Sequence, residues 1–342
     1  MGKTTQDQRY VLCRPDAGLN DILCQIELMH RYADRSGRTL IVDTAYANSI
    51  TFKDEMSNYF TSKESNLVLS ARNLIESFDS MVVFPPALQG RVNGYYPWVR
   101  DERDEIVDWE TGIPVSFDMS MDYPHQLLVH HAYGGGAISL FALTKLTIND
   151  NIIDQLVERM DTIGSPYSAI HIRNTDYKTN YKPTIERLRN SVLTPVFIST
   201  DSLECRNYCE QAFGAQNVFY FSNLPHDGKA IHYNQGFSDI FQRNADAILD
   251  LLMLALSSRF HRVSRDGSPD GAVRGYSMLA ENLFTYDGIL LSLFGTNSRA
   301  LTILKRAIEW RKQAIDGFLS VMTGTARTDP KRCHSWGTLR LG

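Results

Sequence analysis

The sequence lacks any long hydrophobic stretch. No run of about 18 apolar residues occurs, so no membrane-spanning helix is expected. The N-terminal segment, residues 1–7, is polar and lacks the apolar core that defines a signal peptide. We therefore expect a cytoplasmic protein, unless the chain was trimmed from a longer one that carries an anchor.

The sequence also lacks a large excess of either charge, and it does not contain an even number of cysteines. The 35 basic and 39 acidic residues give a formal net charge of -4. No general basic surface is present, and nucleic acid is not an expected partner. The five cysteines are odd in number and match no zinc-site spacing. Cys205 and Cys209 lie on one predicted helix, where we expect buried thiols, so the sequence predicts a reduced chain without bound metal.

The length and composition favour two globular α/β domains. The chain has 342 residues, of which 43% are hydrophobic, and this is long for a single α/β core. A predicted helix over residues 149–163 precedes a second series of alternating strands and helices. We therefore place the boundary near residue 150, which gives domains of residues 1–150 and 151–342, although no Pro/Gly/Ser-rich linker marks it.

The first domain opens with a strand–helix–strand pattern. Residues 10–14 and 39–43 read as strands, and a helix between them follows the turn at Gly18. Asn20 or Asp21 is predicted to cap that helix. In such a unit the turn faces a ligand crevice, so these residues are candidates for a binding site.

The middle of the first domain is rich in aromatic residues. Residues 89–124 hold Tyr95, Tyr96, Trp98, Trp109 and Tyr123. Exposed rings would stack on sugar faces, whereas buried rings would fix an irregular insertion to the core, and we favour the second interpretation. A further strand over residues 126–132 leads into a run of three glycines, which suits either a tight turn or close approach to a ligand.

The second domain alternates between strands and helices. A polar loop is predicted over residues 222–240. The predicted strands cover residues 167–172, 195–200, 217–221 and 262–264. The predicted helices cover residues 203–213 and 246–257, with another that begins at Tyr276.

The strand over residues 167–172 ends in a polar loop that holds candidate binding residues. His171 and Arg173 share one face of the strand, because side chains alternate. A guanidinium at the carboxyl end of a strand suits phosphate oxygens, and Asp176 can fix its angle. Alternatively, the Arg173–Asp176 pair only ties down the loop.

Asp250 lies inside an almost wholly apolar helix, so we predict a buried carboxylate. Such a group needs hydrogen-bond partners, because burying it alone costs several kcal/mol. Guanine carries two adjacent donors, N1–H and the exocyclic amine, that fit one carboxylate. The alternative is that neighbouring backbone or an arginine satisfies Asp250.

The segment from His171 to Asp176 resembles the H-x-R-x-x-D motif of the inverting fucosyltransferases, a group that includes α1,6, nodulation, α1,2 and protein O-fucosyltransferases. The resemblance implies an α/β fold of the GT-B-like type, with two Rossmann-like domains facing a central cleft. It also implies a GDP-fucose donor on the C-terminal domain and a glycan or glycoconjugate acceptor on the N-terminal domain. No cofactor or metal is implied beyond the donor.

Three further segments extend the resemblance. The turn Ala17-Gly18-Leu19-Asn20 is similar to the opening turn of these enzymes, although a second glycine is missing. The strand end at Thr200-Asp201 resembles their Thr-Asp element. The helix around Asp250 and the segment up to Ser268 resemble their Asp-x-x-x-Leu-Ser…Ser-x-x-Ser segment, with Leu256-Ser257 shifted by two positions.

The resemblance assigns a role to each matching residue. Arg173 would bind the β-phosphate and stabilise the departing GDP, Asp250 would read guanine, and Asp176 would hold the motif loop. His171 would lie beside the nucleotide, and Asp201 would line the donor site. Ser264 or Ser268 would bind phosphate oxygens, and Gly18 and Asn20 would face the donor phosphates and the acceptor. The candidates for a general base are Asp16 and Asp21. For Asp21 we favour a role as the helix cap.

The sequence departs from the α1,6 subgroup after the motif. Tyr177 and Tyr181 stand where that subgroup has a lysine and a catalytic glutamate. A tyrosine is a poor base at neutral pH, because its reference pKa is near ~10. The acceptor specificity of the subgroup is therefore not implied. A transferase that uses another nucleotide sugar and an inactive sugar- or nucleotide-binding relative are the alternatives.

Overall fold

The computed structural model describes residues 8–45, 51–99, 101–103, 105–224, 238–268, 271–272 and 275–322. The described residues form two compact units. The first lies within Met1–Asn151 and Ser238–Asn244, and the second within Ile152–Phe237 and Ala245–Gly342. Within the described part of the chain, no helix is both long enough and apolar enough to cross a membrane.

Among its described residues, the first unit contains nine strands and two complete α-helices, besides three short 3-10 helices. The strands are β1 (Tyr10–Pro15), β2 (Thr39–Val42), β3 (Phe60–Ser62), β4 (Leu67–Val68), β5 (Val83–Phe84), β6 (Pro97–Val99), β7 (Ile106–Asp108), β8 (Leu127–Ala132) and β9 (Leu146–Ile148). The helices are α1 (Leu19–Arg35) and α2 (Ser139–Thr144).

A parallel sheet forms the centre of the first unit. Its strand order is β4-β2-β1-β8-β5, and every pairing in it is parallel. The central strand β1 is buried along its whole length, as expected when both faces of a parallel sheet are covered. The strand order reverses between β1 and β8, so the turn after β1 lies at the position where open α/β sheets bind ligands.

Helix α1 begins earlier than the sequence predicted. Gly18 is its N-cap and makes no side-chain capping bond, so the prediction that Asn20 or Asp21 caps the helix is wrong. The physical reason is a tertiary contact: the Asn20 amide donates to the carbonyl of Gly136, and its oxygen accepts from Ser139 Oγ. Asn20 and Asp21 therefore lie within the first helical turn.

The second unit holds the remaining elements. Its strands are β10 (Ser168–Ile172), β11 (Val196–Thr200), β12 (Val218–Phe219) and β13 (Arg259–Arg262). The later helices, of which α3 and α6 begin in residues of the first unit, are α3 (Asp150–Ile163), α4 (Tyr181–Leu188), α5 (Leu203–Phe213), α6 (Ile240–Ala255), α7 (Gly275–Thr285), α8 (Asp287–Phe294) and α9 (Ser298–Met322). The sheet is parallel, with the order β12-β11-β10-β13.

Two predicted elements of the second half begin well after their observed starts. The strand predicted over residues 262–264 covers Arg259–Arg262, and helix α6 starts at Ile240 instead of Asp246. The start of α6 was hidden because Arg243 and Asn244 interrupt the apolar pattern; both donate to carbonyls of the first unit, at Thr51 and Phe52. Most of the polar loop predicted over residues 222–240 lies outside the described residues.

The glycine run after β8 packs closely against helix α1. A Cβ atom on Gly135 would lie 2.3 Å from Cys24 Cβ and 2.6 Å from Cys24 Sγ. Those distances are far below van der Waals contact. The close approach at Gly135 is therefore to a helix of the same unit, which explains the need for glycine at this position.

We expect Gly135→Ala to destabilise the protein by about 1–3 kcal/mol, because the added methyl group overpacks the contact with Cys24. The measurement is the shift of the thermal unfolding midpoint. Gly288→Ala is the matched control, since a Cβ there meets nothing within 4 Å and the residue lies in helix α8. Equal midpoints for the two variants would contradict the assigned packing.

Candidate functional site

The candidate site of the second unit lies at the carboxyl edge of its sheet. From β10 the chain adds β11 and β12 on one side and later β13 on the other. The strand order thus reverses between β10 and β13, which is where open α/β sheets form a ligand crevice. Arg173, Asp201 and the segment from Ser264 to Ser268 all follow the carboxyl ends of these strands.

The motif loop after β10 is held by two carboxylates. Arg173 donates to both oxygens of Asp176, from Nε at 3.0 Å and from Nη2 at 2.6 Å. Asp201 accepts the backbone N–H of Asn174 and the hydroxyl of Thr175, each at 2.6 Å. Asp201 therefore fixes the position of the motif loop, whereas Asp176 orients the guanidinium.

Arg173 remains accessible within this arrangement. Its side chain is 30% exposed, and that of Asp176 is 34% exposed. A guanidinium carries five N–H donors, more than the two that a bidentate carboxylate accepts. The guanidinium is thus oriented by protein contacts while its side chain stays partly exposed.

His171 is buried beneath the motif loop as a neutral ring. Its Nδ1 lies 2.7 Å from Ser277 Oγ, and its ring centroid lies 5.0 Å from that of Tyr276. Burial, followed by the nearby charge of Arg173, lowers the pKa of His171 to about 3. At physiological pH, His171 can therefore pack and hydrogen-bond beside a ligand without adding charge.

Asp250 is buried in helix α6 and contacts an arginine that the sequence analysis did not identify. Arg159 Nη1 donates to Asp250 Oδ1 at 3.1 Å, and Arg159 Nη2 donates to Asp246 Oδ1. All three residues are buried. Two carboxylates, one helical turn apart on α6, thus converge on one guanidinium from α3.

Arg159 compensates the burial of Asp250 only in part. Burial raises the pKa of Asp250 to about 6, and the opposing effect of Arg159 does not cancel it. The arginine was predicted as an alternative partner, so Asp250 is not held for a ligand alone. Its function as the guanine reader stays a prediction.

Tyr276 and Ser199 link the Asp250 region to the motif strand. The Tyr276 hydroxyl donates to the carbonyl of Ala247 on α6 at 2.6 Å. Burial, followed by the charge of Asp250, raises the pKa of the Tyr276 phenol. Ser199 is the register partner of His171 on the neighbouring strand. The structure therefore places His171 and Asp250 around one tyrosine at the same sheet edge.

The loop after β13 is organised around Asp266. Ser264 Oγ donates to Asp266 Oδ1 at 3.0 Å, and the backbone N–H and hydroxyl of Ser268 donate to the same oxygen at 3.0 and 2.8 Å. The predicted phosphate ligands Ser264 and Ser268 thus already surround one anionic oxygen. These donors would have to leave Asp266 in order to bind a phosphate.

In the first unit, the candidate base Asp16 lies directly after β1. Its Oδ1 accepts from Thr51 Oγ1 at 2.7 Å, and its Oδ2 lies 3.8 Å from His131 Nε2. Burial raises the pKa of Asp16, but His131, Thr51 and the backbone of Ala17 lower it by more, so the pKa lies below its ordinary value. Asp16 is therefore ionised at neutral pH but only weakly basic.

The other candidates on the opening turn serve the packing of the first unit. Asn20 is bound to Gly136 and Ser139, as described above, and its amide also donates to Asp21 Oδ1 at 3.3 Å. Gly18 accepts the backbone N–H groups of Asp21 and Ile22. The structure brings these residues to the carboxyl end of β1.

Tyr181 stands in the position of the subgroup's glutamate and is a still poorer base than a free tyrosine. It is buried and donates to Glu204 Oε1 at 3.0 Å. Burial, with Cys205 and Glu204 nearby, raises the pKa of its hydroxyl well above the ordinary value. Tyr181 is therefore unsuited to replace the glutamate as a base.

Metal-ligand clusters and reactive thiols do not occur among the described residues. No group of three or more His, Cys, Asp or Glu side chains there is placed to hold a metal ion. Cys205 and Cys209 are free and buried in the packing of α5, as predicted, and so are Cys13 and Cys24. Cys333 lies outside the described residues.

Sequence reasoning missed Arg159 and Tyr276, although one signal for Arg159 was available. Helix α3 buries Ile152, Leu156 and Met160, and Arg159 is the charged residue that falls on this apolar face. A charge in such a position needs a buried partner of opposite sign. Tyr276 gave no comparable pattern, because its contacts arise only from the tertiary fold.

The mixed α/β fold, with parallel sheets, is similar to that of solved fucosyltransferase structures, and the resemblance in the sequence is thereby confirmed at the level of the fold. It is similar to NodZ fucosyltransferase from Bradyrhizobium, with a TM-score of 0.53 and 17% identity, over 81% of this chain and 94% of that one. No family model matches the sequence, and no curated protein matches it significantly.

Two further similar structures are of NodZ alpha-1,6-fucosyltransferase with nucleotide. One was co-crystallized with GDP and has a TM-score of 0.52 at 17% identity. The other was soaked with GDP-fucose and has a TM-score of 0.52 at 16% identity. Each match covers 81% of this chain and 93% of the other.

We expect Arg159→Met to destabilise the protein by about 3–5 kcal/mol at pH 7.5, because it leaves buried carboxylates without their cation. The loss should shrink at pH 5.5. The pKa of Asp250 is higher in the folded protein than in the unfolded chain, so protonation of Asp250 favours folding. This contribution to stability is present below the ordinary carboxyl pKa and is lost as the pH rises through about 6.

The measurement is the unfolding midpoint at both pH values. Arg299→Met is the matched control, since Arg299 pairs with Asp154 on the exposed surface of the same unit. Adding Asp246→Asn and Asp250→Asn to Arg159→Met should restore most of the stability. A loss that is independent of pH and is not restored by these changes would contradict the assigned electrostatics.

Proposed function

We propose that the protein is an inverting fucosyltransferase that transfers fucose from GDP-fucose to a hydroxyl of a glycan or glycoconjugate. One observation carries the proposal: an oriented guanidinium, that of Arg173, lies at the switch point of a parallel sheet. The buried Asp250 is linked to the same sheet edge through Tyr276 and His171. The fold similarity to NodZ agrees with this assignment.

In the proposed reaction, the acceptor oxygen forms a bond to the anomeric carbon as the bond from that carbon to the β-phosphate oxygen breaks. The electron pair leaves with GDP, and the acceptor hydroxyl loses its proton to a base or to water. Arg173 stabilises the charge that develops on the departing phosphate. Because Asp176 already orients the guanidinium, little reorganisation is needed in the transition state.

Asp250 is the residue that we propose for guanine recognition. Its burial is only partly offset by Arg159, so a ligand that supplies two N–H donors would stabilise the ionised carboxylate further. Uracil lacks this pair of adjacent donors, and adenine presents only one donor at its exocyclic position. A preference for guanine is therefore expected.

We propose Asp16, in preference to Asp21, as the base that receives the acceptor proton. Its Oδ2 lies towards His131 Nε2, a buried nitrogen without a hydrogen-bond partner among the described residues. Asp21 lies in the first turn of α1, and its Oδ1 accepts from the amide of Asn20. The arrangement expected from the sequence, GT-B-like with the donor on the second domain and the acceptor on the first, is part of this proposal.

A catalytically inactive nucleotide-binding relative is the second candidate function. The observation that favours it is Tyr181, which stands where the α1,6 subgroup has its catalytic glutamate. The hydroxyl of Tyr181 donates to Glu204. Donor hydrolysis separates the two candidates. A protein that binds GDP and never cleaves GDP-fucose, with or without acceptors, would be such a relative.

We expect Arg173→Ala to reduce the cleavage of GDP-fucose by a factor of about 10²–10³, since it removes the charge that stabilises the leaving group. Arg173→Lys should recover only part of this loss, because an ammonium cannot make the bidentate contact. Release of GDP is the measurement. Arg189→Ala is the control, as Arg189 is exposed and pairs with Glu186 in the same unit. Near-normal turnover of Arg173→Ala would refute the assignment.

We expect GDP and GDP-fucose to raise the unfolding midpoint more than UDP or ADP, with no effect of EDTA. In Asp250→Asn the preference for guanine should fall by about tenfold in affinity or more, because an amide cannot accept both donors as a carboxylate does. The measurement is a thermal-shift titration with each nucleotide. Equal shifts for GDP and UDP in the unchanged protein would argue against the donor.

A further inference from the structure

The antiparallel hairpin of β6 and β7 separates its side chains into two faces. Register pairs Pro97 with Asp108 and Trp98 with Val107, and paired residues in antiparallel strands share a face. Ile106 and Asp108 are on the inner face and are buried in the first unit. Alternation therefore directs the side chains at positions 96, 98, 107 and 109 to the opposite face.

That outer face is aromatic and exposed to solvent. Tyr96 is 60% exposed, Trp98 is 51% exposed and Trp109 is 60% exposed. The two indole centroids lie 4.5 Å apart with an interplanar angle of 59°, and Val107, the cross-strand partner of Trp98, is buried. The outer face of a hairpin is normally polar, so three large exposed rings on one such face indicate a binding surface.

The rings stand on a rigid support. Arg91 Nη2 donates to both oxygens of the buried Asp108 at 3.0 Å, and Arg91 Nη1 pairs with Glu110 at 2.7 Å. The backbone N–H of Trp109 donates to the carbonyl of Tyr96 at 2.8 Å, which extends the ladder by one pair. Because these contacts fix the hairpin, binding would require little ordering of the rings.

The charge around the rings restricts the kind of partner. Among the described residues between Tyr96 and Ile113, leaving out the buried Asp108, four are acidic and one is basic: Asp101, Glu102, Glu105 and Glu110, and Arg103. An acidic rim repels anionic lipid headgroups and nucleic acid phosphates. Carboxylates accept hydrogen bonds from hydroxyl groups, and flat aromatic rings cover apolar C–H faces. A neutral, polyhydroxylated ring satisfies both requirements.

We propose that Tyr96, Trp98 and Trp109 form a platform that binds the pyranose rings of an uncharged oligosaccharide. This inference rests on the proposed function, because the oligosaccharide would be the acceptor of the transferase. It would be either the whole acceptor or the part that holds the reacting hydroxyl in place. The initial expectation that aromatic residues fix this insertion to the core holds for Tyr95 and Tyr123, which are buried, and is wrong for the three platform rings.

The test is a titration of the full-length protein with cellotetraose, chitotetraose and maltotetraose, followed by tryptophan fluorescence and by calorimetry. We expect at least one of these saccharides to bind. The double variant Trp98→Ala/Trp109→Ala should weaken that binding about tenfold or more, as loss of central aromatic anchors does. The aromatic replacement Trp98→Phe/Trp109→Phe should retain most of it.

The control is Leu291→Ala, which changes a side chain that is 53% exposed in the second unit and should leave saccharide binding unchanged. The midpoint shift caused by GDP is measured on every variant, because the nucleotide site is in the second unit. A GDP shift without saccharide binding would overturn the platform and leave the proposed transferase intact. Saccharide binding that is lost in the double variant, without any GDP shift, would support the platform and contradict the proposed donor.

Two further measurements can overturn the platform. One is binding to vesicles of neutral or anionic phospholipid, and the other is self-association in sedimentation. If the double alanine variant abolishes either of these while its saccharide binding is unchanged, the aromatic face serves a membrane or a second copy of the chain instead.

Discussion

The contact of Arg159 with Asp246 and Asp250 is the electrostatic constraint around which the second unit is built. Two carboxylates of α6 are buried, and each would cost several kcal/mol without a cation in reach. The guanidinium from α3 offsets that cost and ties the two helices together, but Asp250 keeps a raised pKa. The same contact therefore serves stability and leaves Asp250 responsive to additional donors.

Both units place their polar residues by the same geometric rule. In each parallel sheet the central strand, β1 or β10, is buried throughout, and the chain becomes polar where that strand ends. Strand order reverses beside each of them, so a crevice is expected at both positions. Asp16 follows one central strand and Arg173 the other. Each unit thus presents a charged side chain, the proposed base in one and the proposed phosphate ligand in the other, where its central strand ends.

Local sequence patterns predicted the elements that carry the candidate site but not the contacts within it. The strand before Arg173 and the helix over Leu203–Phe213 follow from hydrophobic periodicity, which depends on near neighbours only. Arg159, by contrast, is 91 positions from Asp250 in the sequence, and no local pattern joins them. The cap predicted at Asn20 failed for the same reason, since Gly136 and Ser139 take its side chain. The exposure of Tyr96, Trp98 and Trp109 could not be predicted either, because it depends on which face of the β6–β7 hairpin packs against the rest of the first unit.

The bonds that Asp201 accepts from Asn174 and Thr175 mean that the direction of Arg173 is set by the neighbouring strand as well as by its own. A change at the end of β11 would therefore be transmitted to the Arg173 guanidinium without touching it. Residues joined in this way do not contribute independently: the effects of substitutions at Asp201 and Arg173 would not add, and their coupling energy would report how firmly one strand steers the other.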